Sequence, residues 1–192
     1  MNSLVIFEIL LVVCAIGALA LMRRTYFPMN LFWGFGVSTI AIAAALGALV
    51  YGGFGDFKSY HGLFSSFAGS VGVGAFAVAA LGGIFARQFH QIGWWITLIG
   101  LLGLCALLLT DNWRVSEEVR YVFIGILGVA ALYRLVTNAQ SGLFLLGGVV
   151  LLVVAGMGSE LIAAQFSVPK LNVYHGLLAG AVLSFGIFAS KE

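Results

Sequence analysis

Apolar residues fill seven long runs of this chain, and polar residues are confined to the short stretches between them. About twenty apolar residues in a helix span the roughly 30 Å hydrocarbon layer of a bilayer, and a helix satisfies its own backbone polar groups there. The pattern predicts an all-α polytopic membrane bundle of about seven transmembrane helices in a single domain, 1–192. The predicted spans are Leu4–Met22, Leu31–Gly52, Gly62–Phe85, Ile92–Leu109, Val119–Val136, Gly142–Ala163 and Tyr174–Ala189.

Composition agrees with a membrane location and excludes one class of partner. Hydrophobic residues make up 62% of the chain and charged residues 8%, whereas soluble domains carry about 25% charged residues. The formal net charge is +2, and the only adjacent basic pair is Arg23-Arg24, so no nucleic-acid surface is expected. We expect an integral protein of a bacterial inner (plasma) membrane, with membrane lipids and other membrane protein subunits as partners.

Orientation follows from the basic residues in the loops, because Lys and Arg are retained on the cytoplasmic side. If the N-terminus lies outside, five Lys and Arg residues lie on the cytoplasmic side and four on the other side. We therefore predict the N-terminus outside and the C-terminus in the cytoplasm. Arg23, Arg24, Arg87, Arg134 and Lys191 then lie inside, and Lys58, Arg114, Arg120 and Lys170 lie outside.

The tetrapeptide Tyr-His-Gly-Leu occurs twice, at Tyr60–Leu63 and Tyr174–Leu177, and each copy opens a predicted span. Spans three and seven run in the same direction, so both histidines should lie at one non-cytoplasmic end of the bundle. Each copy also follows an outward-running helix and a loop lysine, which indicates repeated hairpins, 31–86 and 142–189. Parallel repeats are commonly related by an axis along the membrane normal.

Two imidazoles and nearby carboxylates are the ligands of zinc and non-haem iron sites. We therefore consider a metal site formed by His61, His175, Glu117 and Glu118, with zinc or iron as the cofactor. A haem held by both histidines is a second reading. The competing structural explanations are that Tyr-His-Gly anchors helices at the interface and that Glu117 and Glu118 stabilise a helix start beside Ser116.

Glu8 is the only acid well inside a predicted span. Because it lies one or two turns from the outer end, we expect its side chain to reach the interface rather than to carry protons. Small residues at four-residue steps are typical of tight helix contacts, so two stripes should form interior seams. These stripes are Ala68, Gly72, Ala75, Ala79 and Gly83, and Gly176, Gly180 and Ser184.

Three short motifs resemble the ceramidase-like group of seven-helix membrane hydrolases: Ser59-Tyr60-His61-Gly62, Glu118-Val119-Arg120-Tyr121 and Asn172-Val173-Tyr174-His175. The resemblance implies a seven-helix fold and a zinc-bound water that cleaves a lipid amide. In that group three His hold the zinc. Here Lys170 stands where a second His of span seven would be expected, and no Asp follows His61 on span three.

Our first expectation is a multi-pass membrane accessory or partner-binding subunit with an extracytoplasmic two-His metal site. The near absence of buried charge does not favour an ion-coupled transporter. The alternative is a metal-dependent hydrolase of membrane lipids that uses both histidines and a carboxylate to activate water.

Overall fold

The structure is a computed structural model, and it describes residues 2–85, 92–96, 99–100, 103 and 114–192. Six helices in this part are long and apolar enough to cross a membrane, as expected of an all-α integral membrane protein. The predicted fourth span, Ile92–Leu109, lies largely outside the described residues. The six helices are α1 (Ser3–Met22), α2 (Met29–Tyr51), α3 (Gly55–Phe85), α4 (Glu117–Thr137), α5 (Ala139–Phe166) and α6 (Lys170–Ser190).

Two of these helices contain a wider, π-helical turn. In α3 it covers Ala68–Gly72, between the regular helices Lys58–Phe67 and Val73–Phe85. In α5 it covers Val154–Gly158. Such a turn accommodates an extra residue and shifts the faces of the helix on its two sides relative to each other. The α3 turn therefore determines which way the first half of that helix faces.

The six helices close into a ring in which each packs on its sequence neighbours and α6 returns to α1. Phe85 ends α3 near the end of the bundle where Arg134 and Glu192 lie beside Gly83. Arg114 lies at the other end, where its Nε donates to Ser66 Oγ over 3.0 Å. Residues 85 and 114 therefore lie at opposite ends of the bundle.

Small residues form the seams of the ring, as the four-residue stripe predicts for α3. Ala68, Gly72, Ala75 and Ala79 are all buried. A Cβ built on Gly72 would lie 2.6 Å from Thr39 Oγ1, so only glycine permits this approach of α3 to α2. The prediction of an interior seam is confirmed for these four residues, whereas Gly83 and the second stripe, Gly176, Gly180 and Ser184, are half-buried.

An aromatic cluster fills the half of the bundle that lies away from the histidines. The ring of Trp33 lies 5.6 Å from the rings of Phe76, Phe185 and Phe188, and all four side chains are almost fully buried. These centroid distances are typical of favourable aromatic pairs. The cluster joins α2, α3 and α6 across the middle of the ring.

A largely buried ion pair, Arg134 with Glu192, lies at that same end of the bundle and borders a cavity of about 590 Å³. Ser141 donates a further hydrogen bond to Glu192 over 3.3 Å. Burial raises the pKa of the Glu192 carboxyl, although the Arg134 guanidinium and the Ser141 hydroxyl lower it. The pair therefore ties α4 and α5 to the end of α6.

Candidate functional site

Glu8 faces the interior of the bundle rather than the membrane interface. It belongs to the buried stripe of α1, which continues as Leu11, Ala15, Ala18 and Met22 at spacings of three and four residues. Its side chain is 1% exposed. The expectation that this carboxylate reaches the interface is wrong, because the spacing of α1 directs it to the core.

The carboxyl of Glu8 lies between α2 and α6. Its Oε1 is 3.5 Å from His175 Nε2, and a Cβ built on Gly47 would lie 2.6 Å from Glu8 Cδ. The same Cβ would lie 3.0 Å from His61 Cε1, so Glu8 and His61 both occupy the space that Gly47 leaves open. Glycine at position 47 therefore allows a carboxyl and an imidazole to share this point in the bundle.

His61 is oriented by a backbone carbonyl of α2. Its Nδ1 lies 3.0 Å from the carbonyl oxygen of Ala43, which can only accept, so Nδ1 carries a proton and donates it. The Ser65 hydroxyl, one turn further along α3, lies 3.5 Å from the same nitrogen. This arrangement commits Nδ1 to the backbone and leaves Nε2 available to another group.

His175 is positioned by contacts at the start of α6. Asn172, one turn earlier and buried, donates from Nδ2 to Ser3 Oγ on α1 over 3.0 Å. This bond holds the first turns of α1 and α6 together, one turn away from Glu8 and His175. Ring contacts flank both imidazoles, with Tyr51 centred 5.8 Å from His61 and Tyr174 centred 5.2 Å from His175.

A cavity of about 260 Å³ brings these side chains together. We call it the Glu8 pocket; its polar walls are Glu8, His61 and His175 with Tyr51, Tyr174 and Ser65. No Lys or Arg of the described chain lines it. The apolar walls come from α1, α2, α3, α5 and α6, and they are Leu11, Ile40, Ala43, Ala44, Ala68, Gly69, Val73, Leu152, Leu171 and Leu178.

Within the described chain, the deepest polar atoms of the Glu8 pocket have no hydrogen-bond partner. Both carboxyl oxygens of Glu8 and the Nδ1 of His175 are buried and unbonded. Buried polar groups normally have partners, because an unpaired group retains the full cost of its removal from water. The pocket is therefore a concave, mostly apolar site with unused polar atoms at its deep end, as ligand sites commonly are.

Glu117 and Glu118 do not line the Glu8 pocket. Glu117 pairs with Arg120 over 3.5 Å and lines a separate groove, together with Ser66, Ser70 and Arg114. We call this the arginine groove; His61, Ser65 and Gly69 also border it. Glu118 is exposed at the helix start, where the Ser116 side chain caps α4 by accepting from the backbone N–H of Val119, so the predicted cap is confirmed.

The structure thus brings His61 and His175 to one pocket and supplies Glu8 as their carboxylate. Among the described residues, no group of three or more His, Cys, Asp or Glu side chains has the arrangement of a metal site. His90 lies outside the described residues. The predicted metal role of His61, His175, Glu117 and Glu118 stays a prediction.

Sequence reasoning noticed Glu8 but assigned it to the interface, and it did not select Tyr51 or Tyr174 as pocket residues. The signal for Glu8 was available in the spacing of α1, since Ala15 and Ala18 mark a close helix contact in the same register. The tyrosines carried no such signal, because an aromatic ring near a span boundary is equally expected at the interface.

The fold and the pocket define a multi-pass membrane protein with a partly enclosed site at one end of its bundle. Comparison with protein-family models, with curated proteins and with solved structures finds no match for this chain.

Proposed function

We propose that this protein is a nonenzymatic membrane subunit that binds a small ligand in the Glu8 pocket. One observation carries the proposal: a carboxyl that is 1% exposed has neither oxygen bonded in the described chain and lines a cavity with two imidazoles. A buried acid without a partner is costly, and side chains of this kind within spans commonly serve function. A bound ligand would supply the missing hydrogen bonds.

The form of the cavity supports binding rather than passage through the membrane. Its innermost apolar walls include Ile40, Val73 and Leu178. The aromatic cluster begins about one turn beyond Val73, at Phe76, and its residues do not line the pocket. A ligand entering from the histidine end would therefore meet a packed core below the pocket.

The proposal includes a location in a bacterial inner membrane, with the histidine end on the non-cytoplasmic side. The basic residues of the loops support this orientation. A ligand would then reach the pocket from outside the cytoplasm, and lipids or further membrane subunits would surround the bundle.

A metal-dependent lipid hydrolase is the second candidate. The bond from His61 Nδ1 to the Ala43 carbonyl favours it, because metal-binding histidines commonly donate their second nitrogen to such a group. Glu8 rather than Glu117 or Glu118 is the carboxylate in reach of His175. A haem is not favoured, because about 260 Å³ is below the 300 Å³ or so that pockets for drug-sized ligands occupy.

One experiment separates these readings. The full chain is purified in lipid nanodiscs and examined by native mass spectrometry for retained small molecules and by elemental analysis for zinc and iron. Wild type is compared with Glu8→Gln, His61→Ala and His175→Ala, and with Glu160→Gln as a control, since Glu160 is exposed at the same end and pairs with Lys170.

Binding by the pocket predicts an organic adduct on wild type and the control that is lost in Glu8→Gln. Near-stoichiometric zinc or iron that is lost in both histidine variants would instead favour the hydrolase. Wild type without adduct or metal would contradict both hypotheses and leave the helical bundle as a scaffold only.

A further inference from the structure

The deepest polar atoms of the Glu8 pocket can accept hydrogen bonds. Both oxygens of Glu8 are buried without a hydrogen bond in the described chain, and the oxygens of an ionised carboxyl only accept. His61 has committed its Nδ1 proton to Ala43, which leaves its Nε2 as an acceptor. A ligand that carries donor groups therefore matches these atoms.

Charge leads to the same conclusion. Without a cation, burial favours the neutral acid form of Glu8, whereas a cation bound in the pocket would stabilise its carboxylate, and no Lys or Arg of the described chain lines the pocket. Two basic residues of the described chain at this end, Arg114 and Arg120, line the arginine groove, which shares His61 with the pocket. The pocket thus has a place for a cation that the protein itself does not fill with a basic side chain.

The remaining walls favour an organic cation over a hydrated ion. Tyr51 and Tyr174 present aromatic rings at the pocket, and aromatic rings attract ammonium groups. Leucine, isoleucine, valine and alanine side chains make up most of the other walls. An ammonium on a small apolar body would satisfy the carboxyl, contact the rings and bury its own apolar surface.

We infer that the Glu8 pocket binds a small protonated primary amine, with its ammonium group on Glu8 and its apolar part against α1, α2 and α6. This inference rests on the proposed function and names its ligand class. The amine could be a free molecule or the headgroup of an aminophospholipid, in which case the phosphate would lie near the arginine groove that shares His61 as a wall.

The test uses the full chain in phosphatidylcholine nanodiscs, with empty nanodiscs as the blank. Binding of phenethylamine and of 2-phenylethanol is measured by isothermal titration calorimetry at neutral pH. The two probes have nearly the same shape, but the amine is protonated there because aliphatic amines titrate near pH 10 or so. We expect wild type to bind the amine about tenfold more tightly, a difference that one charged contact commonly gives.

Glu8→Gln should bring the two affinities to within about twofold, since the amide has nearly the same shape but no charge. Glu8→Met is a second variant in case the amide disturbs the fold, and Glu160→Gln should keep the wild-type preference. Thermal unfolding of each variant shows whether it is folded.

A second set of nanodiscs containing phosphatidylethanolamine separates the two sources of amine. Weaker phenethylamine binding in those discs would identify the lipid headgroup as the occupant, and unchanged binding would identify a free amine. Equal binding of both probes, unaffected at Glu8, would overturn the amine inference and leave a ligand pocket in place. Failure of both probes to bind would also overturn the amine inference. The proposed binding function is tested separately, by the native mass spectrometry described above, and a wild type without a retained ligand would contradict it.

Discussion

Gly47 is the residue on which the geometry of the pocket depends most directly. We predict that Gly47→Ala displaces the Glu8 carboxyl and the His61 ring and destabilises the protein by about 1 kcal/mol, the low end of the usual cost of overpacking. The added Cβ would lie 2.6 Å from Glu8 Cδ and 3.0 Å from His61 Cε1, but the adjoining cavity gives both side chains room to shift. Unfolding in detergent, followed by circular dichroism, measures the loss.

The matched control is Gly147→Ala, because a Cβ at that glycine of α5 meets nothing within 4 Å. Its free energy of unfolding should stay close to the wild-type value, with a small gain from helix propensity. Equal effects of the two substitutions would show that Glu8 and His61 do not crowd around Gly47.

Glu8 offers a prediction that separates stability from binding. Replacing a buried charge by an apolar side chain of similar size is often neutral or stabilising. We expect Glu8→Met to unfold at the wild-type temperature or above it, and to lose ligand binding. A variant that unfolds at a clearly lower temperature would identify Glu8 as a structural residue.

At the residue scale the predicted Ser116 cap is confirmed, and His61 and His175 line one pocket, while their role as ligands stays a prediction. Prediction failed for Glu8, because depth along a helix was weighed without the direction that the Ala15 and Ala18 register gives. Within the described chain, whether Glu8 has a hydrogen-bond partner depends on residues of four other helices around the pocket. No local sequence pattern contains that information.

At the scale of elements, the π-helical turn Ala68–Gly72 sets the direction of His61. We predict that deleting Gly69 restores a regular helix and rotates the His61 segment by about 100° relative to Val73–Phe85, because one residue turns an α-helix by that angle. His61 should then leave the pocket and lose its bond to Ala43.

The ¹⁵N chemical shift of His61 Nδ1 reports that hydrogen bond, and ligand binding reports the pocket. Gly69→Ala is the control, because it keeps the register and its Cβ meets nothing within 4 Å. A deletion variant with an unchanged His61 signal and wild-type binding would contradict a positioning role of the turn.

The sequence of α3 indicates a long helix but not its wider turn. The apolar run and the spacing of small residues continue without a break through residues 68–72. Neither pattern shows that this turn contains one residue more than a regular helical turn. The turn ends at Gly72, where α3 approaches Gly36 and Thr39 of α2, and such tertiary contacts are not visible in a local sequence pattern.

At the scale of the whole molecule, the ends of the helices define a testable topology. Lys58 and Glu118 should lie on the same, external side, and Thr137 on the other, if the chain crosses the membrane between residues 85 and 114. In a background of Cys14→Ala and Cys105→Ala, cysteines at these three positions are treated with a membrane-impermeant maleimide. Lys58→Cys and Glu118→Cys should react in intact cells.

Thr137→Cys should react only after the membrane is opened. Opposite accessibility of positions 58 and 118 would contradict the crossing, and external reaction of position 137 would reverse the orientation. Lys58, Glu118 and Thr137 are all exposed in the structure, so burial inside the bundle would not prevent their reaction.

Most of the architecture could be predicted from the apolar runs, because the bilayer requires helices of a set length. Six predicted spans correspond to α1 to α6, and the fourth span stays a prediction. The closure of the ring through α1 and α6 could not be predicted, since hydropathy identifies spans without their neighbours. The repeat of hairpins 31–86 and 142–189 also stays a prediction.

The placement of His61 and His175 in one pocket with Glu8 can be tested in native membranes. In the cysteine-free background, His61→Cys is combined with His175→Cys and treated with a short bifunctional thiol reagent. We expect an intramolecular cross-link for this pair and little for Ser66→Cys with His175→Cys, because Ser66 lines the arginine groove instead. Cross-linking of the Ser66 pair without that of the His61 pair would show that the two histidines do not share a pocket.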